Sequence, residues 1–432
     1  MKKKAVLFIL IIQFLIGIIV FYGSPVYAAE KVEIKFWHAM TRHRGKVLDE
    51  LVNRFNKTHT DIKVIPVQIK SRDPRMGNNY HALYKKILEN LARKTPPDVS
   101  QVYENWVCQL IDIGVIVPIG DSVGKPDGIP QSEINDLVPV FREANSYDGK
   151  LWTLPFNKSI YVLYYNKDIF KSVGVQPPKT WGDFKKVAKK LTKRQGQKTT
   201  RYGIAFRPSV DLFSHYLYAY GGNFISGNKA VFNSPIGIKN LQFWVDMVHK
   251  DRTALASFND RRDFVSGKSA MYIDTTSRIG TFKRKANFNW GVALLPKGTT
   301  RQYAFAGTNL AIFSHLSPEK KKAAVKFVNF MSSKESTIYW ALKTGYLPVK
   351  KSAINSPQYR EQLKKDPRYR VGVEALKYAK VQPKVAAWEM IRGIVDDAMF
   401  EAISLRNTPQ EALGRAVKLA NHLIRNISGM AR

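Results

Sequence analysis

The chain has 432 residues, of which 44% are hydrophobic and 12% aromatic, enough for two domains with buried cores, and this excludes global disorder. Its 69 lysines and arginines outnumber 34 acids and set a formal charge of +35, and the one cysteine, Cys108, excludes an intramolecular disulfide and a cysteine-built metal centre. After the N-terminus there is no run of about eighteen apolar residues, which excludes a multi-span membrane protein.

The N-terminal segment has the pattern of an export signal. Residues 2–4 are lysines, residues 5–22 are apolar apart from one glutamine and one glycine, and Val-Tyr-Ala at 26–28 suits signal peptidase. We therefore predict a signal peptide over residues 1–28, a periplasmic location and a mature charge of +32. No cysteine stands at the cleavage site, so the sequence does not predict a lipoprotein. An uncleaved membrane anchor is the alternative.

Short β-like runs alternate with amphipathic helices along the rest of the chain, which indicates α/β layers. The predicted strands lie at 32–36, 62–67, 98–103, 161–165, 270–274, 290–295 and 309–314. The predicted helices lie at 44–55 and 80–91, and three more begin after the capping residues Thr180, Ser317 and Thr408. This order predicts two doubly wound lobes, with ligands bound where loops leave the carboxyl ends of the strands.

The densest basic stretch, residues 179–201, is predicted to be one solvated face of a helix. Its cations fall mostly opposite Phe184, Val187 and Leu191 at helical spacing. By charge alone the partner could be nucleic acid, an anionic membrane or an anionic ligand. Export and the absence of zinc-finger or RNA-binding motifs argue against nucleic acid, and we predict no nucleic-acid partner.

The sequence lacks the motifs of common hydrolases and nucleotide-binding enzymes. None of the eight histidines forms His-Glu-x-x-His, and no G-x-S-x-G, Walker or strand-linked G-x-G-x-x-G motif occurs. Ser317-x-x-Lys320 matches the catalytic S-x-x-K motif by letters only, because its context is a helix cap. We therefore predict a binder rather than an enzyme, without a metal or other cofactor.

Eight segments in chain order carry a family resemblance. They are F-W-H-A-M (36–40), Q-V-Y-E (101–104), P-F-N (155–157), L-Y-Y-N-K-D (163–168), P-P-K-T-W (177–181), K-T-G-Y-L-P (343–348), I-R (391–392) and T-P-Q-E-A-L (408–413). From residue 31 to the C-terminus the chain closely resembles family 1 extracellular solute-binding proteins of ABC importers. Q-V-Y-E, P-P-K-T-W and K-T-G-Y-L-P together are similar to the members that bind sn-glycerol 3-phosphate.

The resemblance implies a periplasmic-binding-protein fold with a ligand cleft between two lobes. Hinge strands are expected near residues 157–162 and 293–306. The implied N-terminal lobe consists of residues 29–157 and 296–340. The implied C-terminal lobe consists of residues 158–295 and 341–432. The lobes of a monomer would close on a small phosphorylated polyol, and the closed form would deliver it to ABC permease subunits in the inner membrane.

The resemblance also implies a ligand site. Its residues are Tyr80, Glu104, Ser159, Trp181, Thr275, Gly307, Tyr346 and Arg392. The planar guanidinium of Arg392 would pair with phosphate oxygens, and its alternative is an exposed helix arginine. Glu104 would accept hydrogen bonds from glycerol hydroxyls, at a distance from the phosphate because two anions repel. Gly307 would offer its backbone N–H, and a simple turn glycine is the alternative.

The other implied site residues have hydroxyl or aromatic side chains. Ser159 and Thr275 would donate hydroxyls to phosphate oxygens, and ordinary strand-end hydroxyls are the alternative. Tyr80 and Tyr346 would donate phenolic hydroxyls or cover the ligand with their rings. Trp181 would cover the carbon edge of glycerol. For these three aromatic residues, packing in a core is the alternative.

Three positions depart from the family pattern, since small residues are usual at Lys158 and Asp274 and a proline at Tyr161. Lys158 would add positive charge beside Ser159 and favour an anionic headgroup, and Asp274 would oppose this if it faces the cleft. The sequence thus predicts a binder of sn-glycerol 3-phosphate or of a glycerophosphodiester such as glycerophosphocholine. A binder of a neutral mono- or oligosaccharide is the alternative, and an exported hydrolase is a remote one.

Overall fold

The computed structural model describes residues 30–71 and 79–430, so the predicted signal peptide lies outside the described residues. The strands are β1 (Val32–His38), β2 (Ile62–Gln68), β3 (Val99–Val102), β4 (Ser146–Tyr147), β5 (Lys150–Leu151), β6 (Leu154–Asn166), β7 (Lys193–Gln195), β8 (Lys198–Phe206), β9 (Ile225–Ser226), β10 (Lys229–Ala230), β11 (Ala254–Ala256), β12 (Ser269–Thr275), β13 (Trp290–Ala293), β14 (Tyr303–Ile312) and β15 (Ala379–Lys380).

The helices alternate with these strands over most of the chain. They are α1 (Arg42–Thr58), α2 (Asn79–Ala92), α3 (Glu104–Asp112), α4 (Gln131–Asn135), α5 (Pro139–Ala144), α6 (Lys167–Val173), α7 (Trp181–Leu191), α8 (Val210–Ala219), α9 (Pro235–His249), α10 (Asp260–Val265), α11 (Ile279–Lys285), α12 (Pro318–Met331), α13 (Lys334–Thr344), α14 (Lys351–Ile354), α15 (Pro357–Lys365), α16 (Pro367–Ala375), α17 (Trp388–Ile403) and α18 (Pro409–Met430).

One long strand, β6, joins the two halves of the main sheet. The sheet order is β11-β8-β12-β6-β14-β3-β1-β2, with β13 also paired to β6. The first part of β6 pairs with β14, and its second part pairs with β12 and β13. The parallel strands β1, β2 and β3 lie on one side of β6, and β8, β11 and β12 lie on the other. Strand β6 therefore runs from one half of the sheet into the other at the place where a hinge strand was predicted, and the chain crosses back between β13 and β14.

Local capping confirms the three predicted helix starts. At Thr180 the hydroxyl accepts from Asp183 N at 3.0 Å, and Asp183 accepts from Thr180 N, which completes a capping box. The Ser317 hydroxyl accepts from the N–H of the third helical residue of α12. Thr408 and Glu411 make the reciprocal pair at the start of α18. Each cap satisfies N–H groups that a helix leaves without an intrahelical acceptor.

The predicted basic helix is shorter than the basic stretch. Helix α7 ends at Leu191, and Lys193 and Arg194 lie in β7 instead. Within the helix the prediction is confirmed, because Phe184 and Leu191 are buried and the lysines are exposed or half-exposed. The basic residues after Leu191 belong to a hairpin in which β7 pairs with β8. Helical periodicity cannot detect that change of backbone, since basic residues occur on exposed faces of both elements.

Candidate functional site

Three tyrosines gather where β3, β6 and the segment after α13 meet. The Tyr80 and Tyr103 rings lie 4.8 Å apart, and Asn157 Nδ2 donates to the Tyr80 hydroxyl at 3.2 Å. Tyr346 is 4% exposed, and hydrogen bonds involving Asn157 and Tyr80 act on its hydroxyl. We call Tyr80, Tyr103, Tyr346 and Asn157 the tyrosine group. It places two predicted site residues, Tyr80 and Tyr346, side by side.

Arg44, near the start of α1, connects the tyrosine group to the C-terminal half of the chain. Its guanidinium donates to the Tyr346 hydroxyl at 3.1 Å and to the Ser277 carbonyl at 2.7 Å. Burial acts to raise the pKa of Tyr346, but the Arg44 cation, the Asn157 amide and the Arg278 cation together lower it. A tyrosine hydroxyl whose pKa is lowered in this way is a stronger hydrogen-bond donor than an ordinary one.

A second polar group follows the end of β12. The Asp274 carboxylate accepts from Arg278 Nε at 2.9 Å, from the Tyr272 hydroxyl at 2.6 Å and from Thr275 N at 2.6 Å. Burial opposes its ionisation, but Arg278 and Tyr272 outweigh burial and keep the pKa of Asp274 below its ordinary value. Thr275, a predicted site residue, has its hydroxyl 2.8 Å from that of Ser277. Asp274 is thus a paired anion rather than a free one.

Arg392, on α17, is oriented by two neighbours. One terminal nitrogen lies 3.0 and 3.1 Å from the two Asp211 carboxylate oxygens, and the other donates to Gln382 Oε1 at 2.9 Å. The side chain is 22% exposed. Burial disfavours the charge of Arg392, but Asp211 outweighs burial and raises its pKa. A charged fork held by two partners is pre-organised for an anion on its free side.

Tyr103 links the tyrosine group to Arg392. Burial raises the pKa of Tyr103, the charge of Asp211 raises it further, and the charge of Arg392 lowers it. The same fields act on Tyr161, whose pKa burial and Asp211 raise and Arg392 lowers. Tyr103 thus lies in the field of Asp211 and Arg392 while its ring packs beside Tyr80. The two groups are therefore parts of one polar region beside β6.

A cavity of about 820 Å³ opens next to this region. Its inner wall contains Tyr161, Asp211, Arg392, Asp274 and Arg278. His215 also lines it, and burial lowers the pKa of His215 to about 4, so the ring is neutral at pH 7. The volume is ample for a polyol phosphate and falls in the range of small-molecule sites. Of the eight predicted site residues, Arg392 is the one in this cavity lining.

Glu104 and Lys158 form an ion pair rather than two separate ligand contacts. The Lys158 side chain is fully buried and its ammonium contacts Glu104, which is 16% exposed. The Phe141 and Phe305 rings lie 6.0 and 5.5 Å from the ammonium. Burial lowers the pKa of Lys158 while Glu104 opposes that shift. The expectation that Lys158 offers its charge to an anionic headgroup is wrong, because the fully buried ammonium contacts Glu104 and has no exposed surface.

Three predicted site residues have contacts of another kind. Trp181 is 1% exposed and packs against rings of α8 and α9, among them Tyr216 and Trp244. The Ser159 hydroxyl is 3.4 Å from the Ala306 carbonyl on the neighbouring strand. Gly307 has φ 125°, and a Cβ there would lie 2.0 Å from the Asn157 carbonyl oxygen. The structure thus shows a core contact for Trp181, a strand contact for Ser159 and a close approach of β14 to β6 at Gly307.

Sequence reasoning missed several members of the polar region. Tyr103 stands inside the Q-V-Y-E motif, which drew attention only to its glutamate. Arg44 follows the F-W-H-A-M segment by four residues, and Asp211 is the second residue of a helix capped by Ser209. Only the spacing from known motifs could have indicated Arg44 and Tyr103. Asp211 and Gln382 carry no local signal, since their partner Arg392 is distant in sequence.

The described part of the chain offers no metal site. Across residues 30–71 and 79–430, no cluster of three or more histidine, cysteine or acidic side chains could hold an ion. Within the same ranges, no helix has the length and apolar character needed to cross a membrane. The chemistry of the polar region is hydrogen bonding and charge pairing, which suits reversible capture of a polar solute.

The comparison with known sequences decides the family. A profile described as bacterial extracellular solute-binding protein matches residues 50–370. The chain belongs to this family. The sn-glycerol-3-phosphate-binding periplasmic protein UgpB of Escherichia coli K12 is 30% identical over 417 residues, covering 91% of this chain and 92% of the relative. UgpB of Pectobacterium atrosepticum is 29% identical over 425 residues, 92% of each chain.

Solved structures of solute-binding proteins share the fold. UgpB of Mycobacterium tuberculosis, in complex with glycerophosphocholine, has a TM-score of 0.80 at 22% identity, over 91% of this chain and 98% of that one. The GacH receptor of Streptomyces glaucescens, solved unliganded and with acarbose, has a TM-score of 0.78 at 22% identity, over 91% and 99%. The predicted α/β periplasmic-binding-protein fold is confirmed. As a family member the protein is a solute-binding component of an ABC importer and not an enzyme.

Proposed function

We propose that this solute-binding protein captures sn-glycerol 3-phosphate or a glycerophosphodiester and delivers it to its permease. The observation that carries the proposal is the orientation of Arg392, held by Asp211 and Gln382 at the wall of a large polar cavity. A guanidinium fixed in this way fits the paired oxygens of a phosphate group. The names of the relatives that are about 30% identical over most of their length support the same ligand class.

The two ends of the region suit the two ends of the ligand. Arg392 lines the cavity and would bind the phosphate, whereas the tyrosine group lies outside the cavity lining and would offer hydroxyls to the glycerol end when the lobes close. Glu104 can accept from a glycerol hydroxyl because its pairing with Lys158 leaves it 16% exposed. The neutralised pair also removes the repulsion that a free carboxylate would exert on the phosphate.

Isothermal titration of the purified mature protein tests the proposal. We expect a one-to-one complex with sn-glycerol 3-phosphate or with a glycerophosphodiester, glycerophosphocholine or glycerophosphoglycerol, and an affinity around micromolar, about −8 kcal/mol. Arg392→Ala should weaken phosphate ligands about tenfold to a hundredfold, since it removes a charge-assisted contact of about 1.5–3 kcal/mol. The absence of binding by all of these phosphates would remove the ligand assignment.

A matched control separates the role of Arg392 from the loss of one positive charge. Arg415 pairs with Glu401 at the surface of α18, well exposed at 52%. Arg415→Ala changes the net charge by the same amount without touching the cavity. Equal weakening by the two variants would contradict the role of Arg392.

A neutral sugar is the second candidate ligand. Tyrosines in a cleft can stack on sugar rings as well as donate hydrogen bonds, and the GacH receptor, with a similar fold, was solved with acarbose. Under this candidate Arg392 serves mainly to orient Asp211 as a hydroxyl acceptor. Tight binding of a maltooligosaccharide, with Asp211→Asn more damaging than Arg392→Ala, would favour it.

The remaining parts of the proposal concern organisation and location. We infer that the lobes comprise 29–157 with 296–340 and 158–295 with 341–432, which places the lobe boundary inside β6. The two named relatives are periplasmic, and we propose the same location for this chain after removal of residues 1–28. We expect a monomer that docks on permease subunits in the closed form. N-terminal sequencing of the exported protein tests the cleavage.

A further inference from the structure

The cavity lining carries further positive charge besides Arg392, which is proposed to bind the phosphate. Arg207, Arg261, Arg262 and Lys285 line the same cavity as Arg392, and all four are exposed. We call these four residues the cation rim. Throughout residues 30–71 and 79–430 no carboxylate forms an ion pair with any of them. The rim is therefore a set of exposed cations in the lining of the proposed ligand site.

The carboxylates of the cavity do not cancel the rim. Asp211 is bound to Arg392 and Asp274 to Arg278. Asp260 accepts from Arg261 N at 2.8 Å, and Asp396 accepts from Val210 N at 2.5 Å. The cavity lining holds six arginine and lysine side chains against four carboxylates. Asp260 and Asp396 also attract Arg207, so two carboxylates face the four rim cations and an excess of two positive charges remains.

The charge distribution disfavours a cationic headgroup. Phe258, 66% exposed at the rim, offers a ring that could cover a trimethylammonium group. The guanidinium of Arg207 already lies 5.2 Å from that ring centroid. A second cation there would meet Arg207 and its three cationic neighbours, with Asp260 and Asp396 alone among the lining carboxylates outside an ion pair to offset them. An anion at the same place would be attracted by all four.

We propose that the cation rim is a second anion subsite and that the preferred ligand carries two anionic groups, as in a glycerophosphodiester whose headgroup is itself phosphorylated. This inference rests on the proposed function, since the first phosphate is held at Arg392. The cavity volume of about 820 Å³ exceeds the needs of glycerol 3-phosphate alone and accommodates an extended ligand. Arginine guanidiniums in a cluster bind a phosphate through several charge-assisted hydrogen bonds.

Two ligands that differ by one phosphate group provide the test. Glycerophosphoglycerol carries one phosphate, and its phosphorylated form, glycerophosphoglycerol phosphate, carries two. Titration at 0.15 M salt should show at least tenfold tighter binding of the doubly charged ligand. The double variant Arg261→Gln/Arg262→Gln should lose most of that difference. Both arginines are exposed, so the variant is expected to fold.

A charge-matched variant excludes a general effect of the basic protein. Lys189→Gln/Lys190→Gln removes two exposed cations from α7, away from the cavity. It should keep the full difference between the two ligands. Equal affinities of both ligands for the unmodified protein, or equal losses in the two double variants, would overturn the second subsite. In either case binding of glycerophosphoglycerol would leave the proposed function standing, whereas failure of both ligands and of glycerol 3-phosphate to bind would reject the proposed function itself.

Discussion

Arg44 and Tyr346, which are 302 positions apart in the sequence, are joined by a hydrogen bond of 3.1 Å. The same guanidinium lies 4.9 Å from the centroid of the Tyr346 ring and donates to the Ser277 carbonyl. Arg44 belongs to α1, beside the β1–β2 side of the sheet, and Ser277 follows β12 on the other side of β6. One side chain therefore ties the two halves of the sheet together next to the tyrosine group.

Arg44→Ala should loosen the arrangement in which the two halves contact each other. The variant loses charge-assisted hydrogen bonds worth about 1.5–3 kcal/mol, so ligand affinity should fall about tenfold to a hundredfold. Small-angle scattering should show a larger radius of gyration for the unliganded variant. Arg54→Ala is the control, because Arg54 lies on the same helix 3.7 Å from the Tyr339 ring centroid, at an exposed site. Unchanged scattering and affinity in Arg44→Ala would contradict the tie.

Glu104→Gln should destabilise the fold strongly. The substitution leaves the Lys158 ammonium buried without a counter-ion, at a cost of about 3–5 kcal/mol. The double variant Glu104→Gln/Lys158→Met should be more stable than Glu104→Gln alone, since it removes the stranded charge. Urea unfolding of Glu104→Gln, of Lys158→Met and of the double variant measures both effects. If the losses of unfolding free energy in the two single variants added up to that of the double variant, the two residues would not form a coupled pair.

Trp181→Phe should mainly lower stability, whereas Tyr103→Phe should mainly weaken ligand binding. Trp181 packs in the aromatic core, so its shortening should lower unfolding free energy by about 1–3 kcal/mol and leave affinity unchanged. Tyr103 contributes a hydroxyl to the polar region, and its loss should weaken ligand binding about threefold to tenfold. Thermal unfolding and titration on both variants separate the roles. A large loss of affinity in Trp181→Phe would restore it to the ligand site.

Gly307→Ala should be poorly tolerated. Its φ of 125° is rare for residues with a Cβ, and the added carbon would lie 2.0 Å from the Asn157 carbonyl oxygen. We expect a loss of stability of at least about 1–3 kcal/mol and weaker binding, because Asn157 holds Tyr80. Gly414→Ala in α18 is the control: it meets nothing within 4 Å and should gain about 0.5–1 kcal/mol. Equal melting temperatures in the two variants would refute the steric account.

Binding of a phosphodiester should tighten as the pH falls from 7.5 to 5. Burial raises the pKa of Asp260 and of Asp396 to about 6, so both carboxylates take up protons in this range. The cavity then loses negative charge, while its arginine side chains remain positively charged. His215 stays neutral over this range because its pKa is about 4. A diester lacks the second phosphate ionisation near 6, so the ligand charge stays constant. The affinity of the double variant Asp260→Asn/Asp396→Asn for the diester should depend much less on pH. If its affinity varied with pH as much as that of the unmodified protein, groups other than Asp260 and Asp396 would be responsible.

Local patterns predicted the elements well and their partners poorly. The strands at 32–36 and 62–67, the helix at 44–55 and the capped start at Thr180 all appear, because alternation and capping act over a few residues. The strand predicted at 161–165 is the end of β6, which begins at Leu154. Its polar first part, with Asn157, Lys158 and Ser159, does not look like a buried strand. Only pairing with β14 and an ion pair to Glu104 make burial of those side chains possible.

Short segments were enough to predict the α/β class, the family and the two tyrosines Tyr80 and Tyr346, which lie together beside β6, because motifs and periodicity are local properties. The contacts of each side chain follow only from the folded chain: Lys158 pairs with Glu104, Asp211 orients Arg392, and Trp181 packs in a core. An ion pair forms between groups that folding brings within a few ångströms, whatever their separation along the chain. Charge balance in the cleft is therefore a property of the folded chain.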